Sequence, residues 1–317
     1  MKKIICYILV LLTAVMSLAA ESVSVAALRG PTSMGLAWLM DRSADGVSVN
    51  GNTYSFQLEG AADAIVPMLV KDDVDIAAIP GNLASVIYNN TNGRVKVIAI
   101  NTLGVLYIVD HGDAVESVED LRGRTIYSAG KGATPEYALQ YILASNGLEV
   151  GKDVYIEWKS EHAECVAALK SDPDGVAMLP QPFATTAMMS DPSIRIALDL
   201  NDLWEEKVGS VLITGVTVAR SDWAESNAEA LDSFLGSYRE SVDYANEDTA
   251  GAAALIGGFG IVPAPVAEKA LPYCSVTLIT GEEMKAALSE YLGILYARNP
   301  KSVGGALPGD DFYWTGR

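Results

Sequence analysis

One local pattern recurs in both halves of this 317-residue chain: a short apolar strand ends in a turn with glycine or proline, and a helix follows at once. The turns lie at Gly30, Gly81, Gly132 and Pro180. Each one places the unpaired N–H groups of a helix start at the carboxyl end of a strand, where open α/β sheets bind ligands. The pattern therefore favours an α/β fold and indicates where a ligand would bind.

The clearest copy of this pattern is the segment 120–147. Residues 125–128 predict a strand, and apolar side chains recur at helical spacing over 135–145. Thr134 has the position and chemistry of the helix N-cap. Gly132 would let the backbone approach a carboxylate, sulfonate or phosphate, although a tight connection without a ligand has the same features. The turn lacks the Lys-Ser/Thr pair of a nucleotide-binding P-loop.

Strands and helices alternate twice along the chain. The first series occupies 22–100 and the second 125–198, while the region from 228 onward is mainly helical. Such alternation predicts mostly parallel sheets with helices on both faces. The second-half segment 175–180, Gly-Val-Ala-Met-Leu-Pro, resembles 74–80, Val-Asp-Ile-Ala-Ala-Ile-Pro. We therefore expect two similar lobes that face each other across a cleft.

The first twenty residues have the features of an export signal. Lys2 and Lys3 precede an apolar run over 4–15, and small residues end the segment at Ala20. The apolar run is too short for a good membrane span. No cysteine lies at the expected cleavage point, so we expect a periplasmic or secreted protein, without residues 1–20 and without a lipid anchor.

The charge balance argues against one class of partner. The chain has 22 Lys and Arg against 40 Asp and Glu, which gives a formal net charge of −18. Such a surface repels nucleic acid and anionic membranes, although a local basic group can still hold an anionic ligand. Half of the residues are hydrophobic, which is enough for the cores of two ordinary domains.

Residue types that carry out catalysis are scarce. The chain has two histidines, His111 in a predicted polar turn and His162 at the expected start of a helix. The sequence has no His-Glu-x-x-His motif, no cysteine pair at zinc spacing and no Gly-x-Ser-x-Gly motif. We therefore predict no catalytic residue, no metal site and no cofactor.

Several further segments are informative because of their order along the chain. They are the exported start, 63–80, 117–126, 179–183 and the helix over 230–246. Together they resemble the solute-binding proteins of ABC importers, in the branch that binds nitrate, sulfonates, taurine and thiamine pyrimidines. The resemblance implies a type II periplasmic-binding-protein-like fold. Its first lobe would comprise 21–104 and 221–317, its second lobe 105–220, with the ligand cleft between them.

The same resemblance implies a function. A monomeric binding protein would capture a small organic or anionic solute by lobe closure and deliver it to a membrane permease with its cytoplasmic ATPase. Enzymes also use this fold, namely cytosolic lyases of quinone synthesis and a thiamine-pyrimidine synthase. The export signal argues against both enzymes, and the lack of a His and Cys cluster argues further against the second.

We expect the ligand at the strand-end turns of both lobes, where a few polar groups fix orientation in a mostly apolar pocket. Arg29 would suit an anion and Glu161 an amine or pyrimidine, and the sequence does not choose between them. Trp204, in an acidic stretch, is a candidate cover for the cleft mouth. The candidate ligand-binding residues are Arg29, Gly30, Pro31, Thr32, Asn82, Asn101, Thr102, Lys131, Gly132, Ala133, Thr134, Ser160, Glu161 and Gln181.

Two cysteines follow the export signal. Cys165 lies in the implied second lobe and Cys274 in the returning part of the first. A disulfide would join two bodies that must move apart, and it would need Cα atoms within about 7 Å. We therefore expect two buried thiols.

Overall fold

Two β-sheets organise residues 20–316, which are the residues that this computed structural model describes. The predicted export signal, residues 1–20, lies outside this range except for Ala20. Within the range, no helix is both long enough and apolar enough to cross a membrane.

The strands of the described range are short. In chain order they are β1 (Glu21–Leu28), β2 (Asn52–Glu59), β3 (Ile76–Pro80), β4 (Val95–Leu103), β5 (Leu106–His111), β6 (Thr125–Ser128), β7 (Tyr155–Trp158), β8 (Val176–Pro180), β9 (Ile194–Asp199), β10 (Ile213–Arg220) and β11 (Val276–Ile279).

Most strands of each sheet share one direction. The first sheet has six strands in the order β11-β4-β10-β3-β1-β2, and the second has five in the order β7-β6-β8-β5-β9. Strands β1 to β4 run one way and β10 and β11 the other. In the second sheet β5 runs opposite to the other four strands. The predicted α/β fold with two helix-flanked sheets is confirmed, whereas both sheets are mixed, since five of the nine neighbouring strand pairs are antiparallel. Each sheet with its helices is called a lobe below.

Helices connect the strands and cover the sheets. Within residues 20–316 they are α1 (Pro31–Met34), α2 (Ala37–Arg42), α3 (Ala62–Val70), α4 (Gly81–Asn90), α5 (Thr134–Ser145), α6 (His162–Ser171), α7 (Phe183–Ser190), α8 (Leu200–Val208), α9 (Ser221–Ser226), α10 (Ala228–Glu247), α11 (Thr249–Gly258), α12 (Ala264–Ala270) and α13 (Gly281–Arg298). Short 3-10 turns lie at Ala44–Gly46, Val118–Leu121, Leu271–Tyr273, Pro300–Val303 and Asp310–Phe312.

Both faces of each sheet are buried. Val25 and Ala26 are neighbours on β1, yet they belong to different hydrophobic clusters on opposite faces. Ala177 and Met178 divide in the same way on β8. A strand that is buried on both faces needs apolar residues throughout, which is why β3 and β8 have similar sequences.

The chain crosses between the sheets at two adjacent segments. It leaves the first sheet at Gly104 and returns at Leu212, and the N–H of Gly104 donates to the carbonyl of Leu212 over 2.7 Å. Val105 follows with a φ of 71°. Because β-branched residues rarely adopt this conformation, backbone strain is concentrated at the crossing.

The second crossing corrects one predicted lobe boundary. The sequence prediction places β10 in the second lobe, but this strand pairs with β3 and β4 in the first sheet. An apolar pattern predicts that a segment is a buried strand, and it carries no information about which sheet the strand joins. The other lobe boundaries stay predictions.

Helix α8 was not predicted, and it changes the place of Trp204. The indole is fully buried, with its ring centroid 4.9 Å from that of Tyr141 and 5.8 Å from that of Tyr291. The side chain of Asp199 caps the helix by accepting two backbone N–H groups. The expected role at the cleft mouth is therefore wrong: the acidic residues form the outer face of an amphipathic helix, and Trp204 lies on its inner face.

The two cysteines are free and buried in separate hydrophobic clusters. Cys165 packs in the second lobe and Cys274 in the first. Burial raises the pKa of the Cys165 thiol to about 12 and also raises the pKa of Cys274. Thiols with pKa values this high are poor nucleophiles at neutral pH.

We expect Gly215→Ala to destabilise the protein by about 1–3 kcal/mol. An added Cβ would overlap Asn101 Oδ1 and lie 2.7 Å from Thr32 Cγ2. Gly236→Ala is the matched control, because this exposed position inside α10 has nothing within 4 Å of the added atom and alanine should stabilise a helix by about 0.5–1 kcal/mol. Urea unfolding measures both changes, and an unchanged midpoint for Gly215→Ala would contradict this packing.

Candidate ligand-binding site

A cavity of about 120 Å³ lies between the lobes, at the carboxyl ends of the strands. For scale, a cavity of about 150 Å³ can hold benzene. The turns after β1, β2 and β3 form one wall, and those after β6, β7 and β8 form the other. The lining residues are Leu28, Arg29, Pro31, Thr32, Gly60, Ala61, Ala62, Pro80, Val105, Leu106, Ala129, Gly130, Ala133, Pro135, Ser160, Glu161, His162, Pro180 and Thr214.

The wall is largely apolar and includes four prolines. Pro31, Pro80, Pro135 and Pro180 contribute to it from both lobes, together with several alanines and glycines. These residues have short or cyclic side chains, so the backbone of each turn lies close to the cavity. A ligand here would contact main-chain groups as well as side chains.

Besides α4, which follows Pro80, three helices of two or more turns begin at this cavity. They are α3 after Ala61, α5 after Ala133 and α6 after Glu161, and none has a hydrogen bond from its N-cap side chain. The third N–H of each helix donates to the carbonyl of its N-cap residue, and Pro135 has no N–H. The N–H groups that stay open to a ligand are those of Ala62, Asp63, Thr134, His162 and Ala163. The positive ends of three helix dipoles favour a negative group, by about 0.3–1 kcal/mol each.

Two side chains of opposite charge lie at the cavity. Arg29 is exposed, its Nη2 donates to the carbonyl of Leu58 over 3.4 Å, and no carboxylate of residues 20–316 forms an ion pair with it. Glu161 comes from the second lobe, and its carboxylate packs so closely on Gly60 that a Cβ there would overlap Oε1. Glycine at residue 60 thus allows a charged group to span the cleft.

His162 is the polar side chain that the sequence reasoning missed. Its Nδ1 is buried without a hydrogen-bond partner, although part of the residue remains accessible, and its ring packs 5.2 Å from that of Phe183. Burial lowers the pKa of His162 to about 4, so the imidazole is neutral at pH 7. A buried ring nitrogen without a partner is rare in folded proteins, so His162 is a further candidate for contact with a ligand.

The structure brings six of the predicted residues together at the cavity. They are Arg29, Pro31, Thr32, Ala133, Ser160 and Glu161. The other eight lie outside its lining, and the hydrogen bonds of several explain why. They are Gly30, Asn82, Asn101, Thr102, Lys131, Gly132, Thr134 and Gln181.

Asn101, Thr102 and Gln181 use their polar atoms inside the lobes. Asn101 Nδ2 donates to Thr217 Oγ1 over 2.9 Å, and Thr102 Oγ1 donates to Asn101 Oδ1 over 2.9 Å. Gln181 Oε1 accepts from the N–H and hydroxyl of Thr185 at the start of α7. These residues support the strand-end turns and do not face the cavity.

Asn82, Gly132 and Thr134 bond to one another across the lobes. Asn82 Nδ2 donates to the carbonyl of Gly132 over 3.3 Å, and Thr134 Oγ1 donates to Asn82 Oδ1 over 3.3 Å. Ala133, not Thr134, occupies the N-cap position of α5, so the predicted cap is wrong. The predicted turns are correctly placed, but these side chains pair with the opposite lobe.

Among the described residues, no group of three or more His, Cys, Asp or Glu is placed to hold a metal ion. The second histidine, His111, lies in the second lobe, where Nδ1 contacts the carbonyl oxygen of Asp172 at 2.9 Å. The polar groups at the cavity are main-chain N–H groups and the side chains of Arg29, Thr32, Ser160, Glu161, His162 and Thr214.

Solved structures share the fold. An ABC transporter from Parabacteroides distasonis is 22% identical with a TM-score of 0.76, covering 93% of this chain and 99% of that one. The aliphatic sulphonate binding protein SsuA from Escherichia coli is 18% identical with a TM-score of 0.70, covering 94% and 93%. The nitrate-binding protein NrtA from Synechocystis is 16% identical with a TM-score of 0.62, covering 84% and 74%.

Sequence comparison gives the family. A search of curated protein sequences returns no match. Residues 49–265 match the family profile described as "ABC transporter, phosphonate, periplasmic substrate-binding protein". This match covers more than half of the chain, and the shared two-lobed fold agrees with it. The chain therefore belongs to the periplasmic substrate-binding family of ABC transporters.

Proposed function

We propose that this protein captures a small organic anion between its lobes and delivers it to a membrane permease with a cytoplasmic ATPase. The observation that carries the proposal is the convergence of three uncapped helix starts on one interlobe cavity. A ligand that contacts both lobes binds the closed form better than the open form, and this difference drives closure.

The ligand class follows from the lining. The helix starts and Arg29 suit an anionic head group, while the prolines, Val105 and Leu106 suit a short apolar body. The family is described by phosphonate, and two structural neighbours are named for sulphonate and nitrate. An alkyl phosphonate or sulfonate combines both features, whereas a bare inorganic oxyanion leaves the apolar wall without a partner.

The proposal also covers the oligomeric state of the protein, its location, its processing and the fate of the solute. We propose that the working form is a monomer in the periplasm, that residues 1–20 are removed on export, and that the bound solute is released unchanged. Support comes from the family's periplasmic location and from a cavity that holds hydrogen-bond donors but no base paired with a nucleophile.

Two measurements test the ligand class. Mass spectrometry of small molecules released on denaturation should find an organic anion. Methylphosphonate, ethanesulfonate, nitrate, inorganic phosphate and a primary amine should then be compared by thermal unfolding. A binding anion should stabilise the protein by about 2.7 kcal/mol at a hundredfold excess over its Kd. Stabilisation by the amine alone, or conversion of a bound compound into product, would overturn the proposal.

Substitutions of Arg29 and Glu161 should change the affinity for an anion in opposite directions. Arg29→Gln should weaken binding up to about fivefold, because an attractive charge is lost. Glu161→Gln keeps the shape and removes a repulsive charge, so binding should tighten by a similar factor. Isothermal titration calorimetry with the best anion of the panel measures both changes. The reverse pair of signs would mean that the ligand presents a cationic group to Glu161.

We expect His162→Phe to separate affinity from stability. Phenylalanine preserves the contact with Phe183 and removes the unpartnered Nδ1, so the empty protein should be at least as stable as the parent. Affinity should fall about twofold to tenfold through the lost hydrogen bond. His111→Phe, in the second lobe away from the cavity lining, is the control and should leave affinity unchanged. Equal affinity in both variants would remove His162 from the site.

Titration of His162 predicts a pH dependence of stability. Its pKa is about 4 in the folded protein, against an ordinary value of 6.5, so the unfolded chain takes up the proton first as pH falls. The free energy of unfolding should therefore decrease as pH falls from about 6.5 to about 4. Carboxylates titrate in the same window, so the measured quantity is the difference in urea midpoint between the parent and His162→Phe. This difference should change in favour of the variant as pH falls.

A further inference from the structure

A buried hydrogen-bond network joins the lobes beside the cavity. We call Asn82, Thr134 and Tyr291 the interlobe latch. Asn82 lies in the first turn of α4 and Tyr291 lies on α13, both in the first lobe, whereas Thr134 begins α5 in the second. The three residues are almost completely buried, and none of them lines the cavity.

Thr134 is the centre of the interlobe latch. Its hydroxyl donates to Asn82 Oδ1 over 3.3 Å and accepts from Tyr291 Oη over 3.2 Å. The backbone N–H of Asn82 lies 3.5 Å from the same oxygen. Asn82 Nδ2 also donates to the carbonyl of Gly132 over 3.3 Å and to that of Ser302 over 2.8 Å.

The donors and acceptors of this network are paired when the lobes are in contact. Each side-chain donor of the three residues has an acceptor, and Asn82 Oδ1 has a donor. A fully paired network can be buried without the penalty of an orphaned polar group. Separation of the lobes exposes the network and replaces these bonds with bonds to water.

Aromatic packing lies behind the interlobe latch and also crosses between the lobes. The ring of Tyr291 packs 5.8 Å from Trp204, whose ring is 4.9 Å from Tyr141, and the latter two belong to the second lobe. All three contribute to one hydrophobic cluster that contains residues of both sheets. Burial of this apolar surface favours closure, while the hydrogen bonds fix its geometry.

We propose that the interlobe latch raises the closed fraction of the empty protein, and that its residues set ligand affinity without touching the ligand. The second part rests on the proposed function. The apparent Kd equals the intrinsic Kd divided by the fraction of molecules that is competent to bind. Asn82, Thr134 and Tyr291 are therefore positioning residues, which act by keeping the cavity assembled.

Thr134→Val tests the proposal, because valine has nearly the same shape and lacks the hydroxyl. In the closed form it leaves Asn82 Oδ1 and the Tyr291 hydroxyl without partners, whereas water pairs them in the open form. Ser85→Ala is the matched control. It removes a buried hydrogen bond from α4 to the carbonyl of Val303, but both groups belong to the first lobe.

Small-angle X-ray scattering of the empty proteins is the first measurement. The parent and Ser85→Ala should have the same radius of gyration, and Thr134→Val a larger one. Tyr291→Phe removes one of the bonds and should give an intermediate value, and it replaces Thr134→Val if that variant does not fold. A radius of gyration of Thr134→Val that is no larger than that of the parent would refute the interlobe latch.

Calorimetry with methylphosphonate is the second measurement. Thr134→Val should weaken binding at least about tenfold, and Ser85→Ala should leave it unchanged even if its melting temperature falls. Unchanged binding by Thr134→Val would overturn the effect on affinity. If methylphosphonate does not bind the parent, this result contradicts the proposed ligand class. The scattering result still decides whether the interlobe latch exists.

Discussion

Pairing of main-chain N–H groups is the constraint on which this site depends. Three helices start at the interlobe cavity without an N-cap side-chain hydrogen bond, and buried N–H groups without a partner are costly. In an open molecule water supplies the partners. In a closed molecule a ligand with several acceptor atoms supplies them, so the chemistry of the ligand and the closure of the lobes are two aspects of one requirement.

The remaining polar groups at the interface are arranged around this requirement. Asn82 and Thr134 form a hydrogen bond with each other across the lobes, so these two side chains need no ligand as a partner when the lobes close. The Nδ1 of His162 and the helix starts lack such partners within residues 20–316. Some polar groups at the interface thus find their hydrogen-bond partners in the opposite lobe, whereas others would find theirs on the bound solute.

Much of the fold could be predicted from local sequence. Strand β6 was predicted with the bounds that the structure has, and α5 begins one residue earlier than predicted. Helix α8 was missed because its acidic residues obscure an inner face formed by Leu200 and Trp204. The prediction of which sheet contains β10 was also wrong. Strand pairing joins residues that are far apart in the sequence, so a short sequence window carries no information about it.

The candidate site was predictable to the level of its turns, but not of its side chains. Arg29 and Glu161 line the cavity as expected. Asn82 and Thr134 also end up at strand-end turns, yet they meet each other, because the relative orientation of two lobes decides which side chains face a ligand. His162 looked like an ordinary helix start, since neither its burial nor its unpartnered nitrogen is visible in the sequence.

The four prolines of the cavity wall have a consequence for selectivity. Proline fixes the backbone angle φ near −65°, so the two strand ends and two helix starts that contain these residues have few alternative shapes. A wall of Pro31, Pro80, Pro135 and Pro180 is preorganised and loses little entropy when a solute enters. The same stiffness prevents adaptation to a larger molecule. Under the proposed function, the importer would accept solutes of one narrow size range. Acceptance of a larger solute would require a different backbone at the cavity rather than new side-chain rotamers.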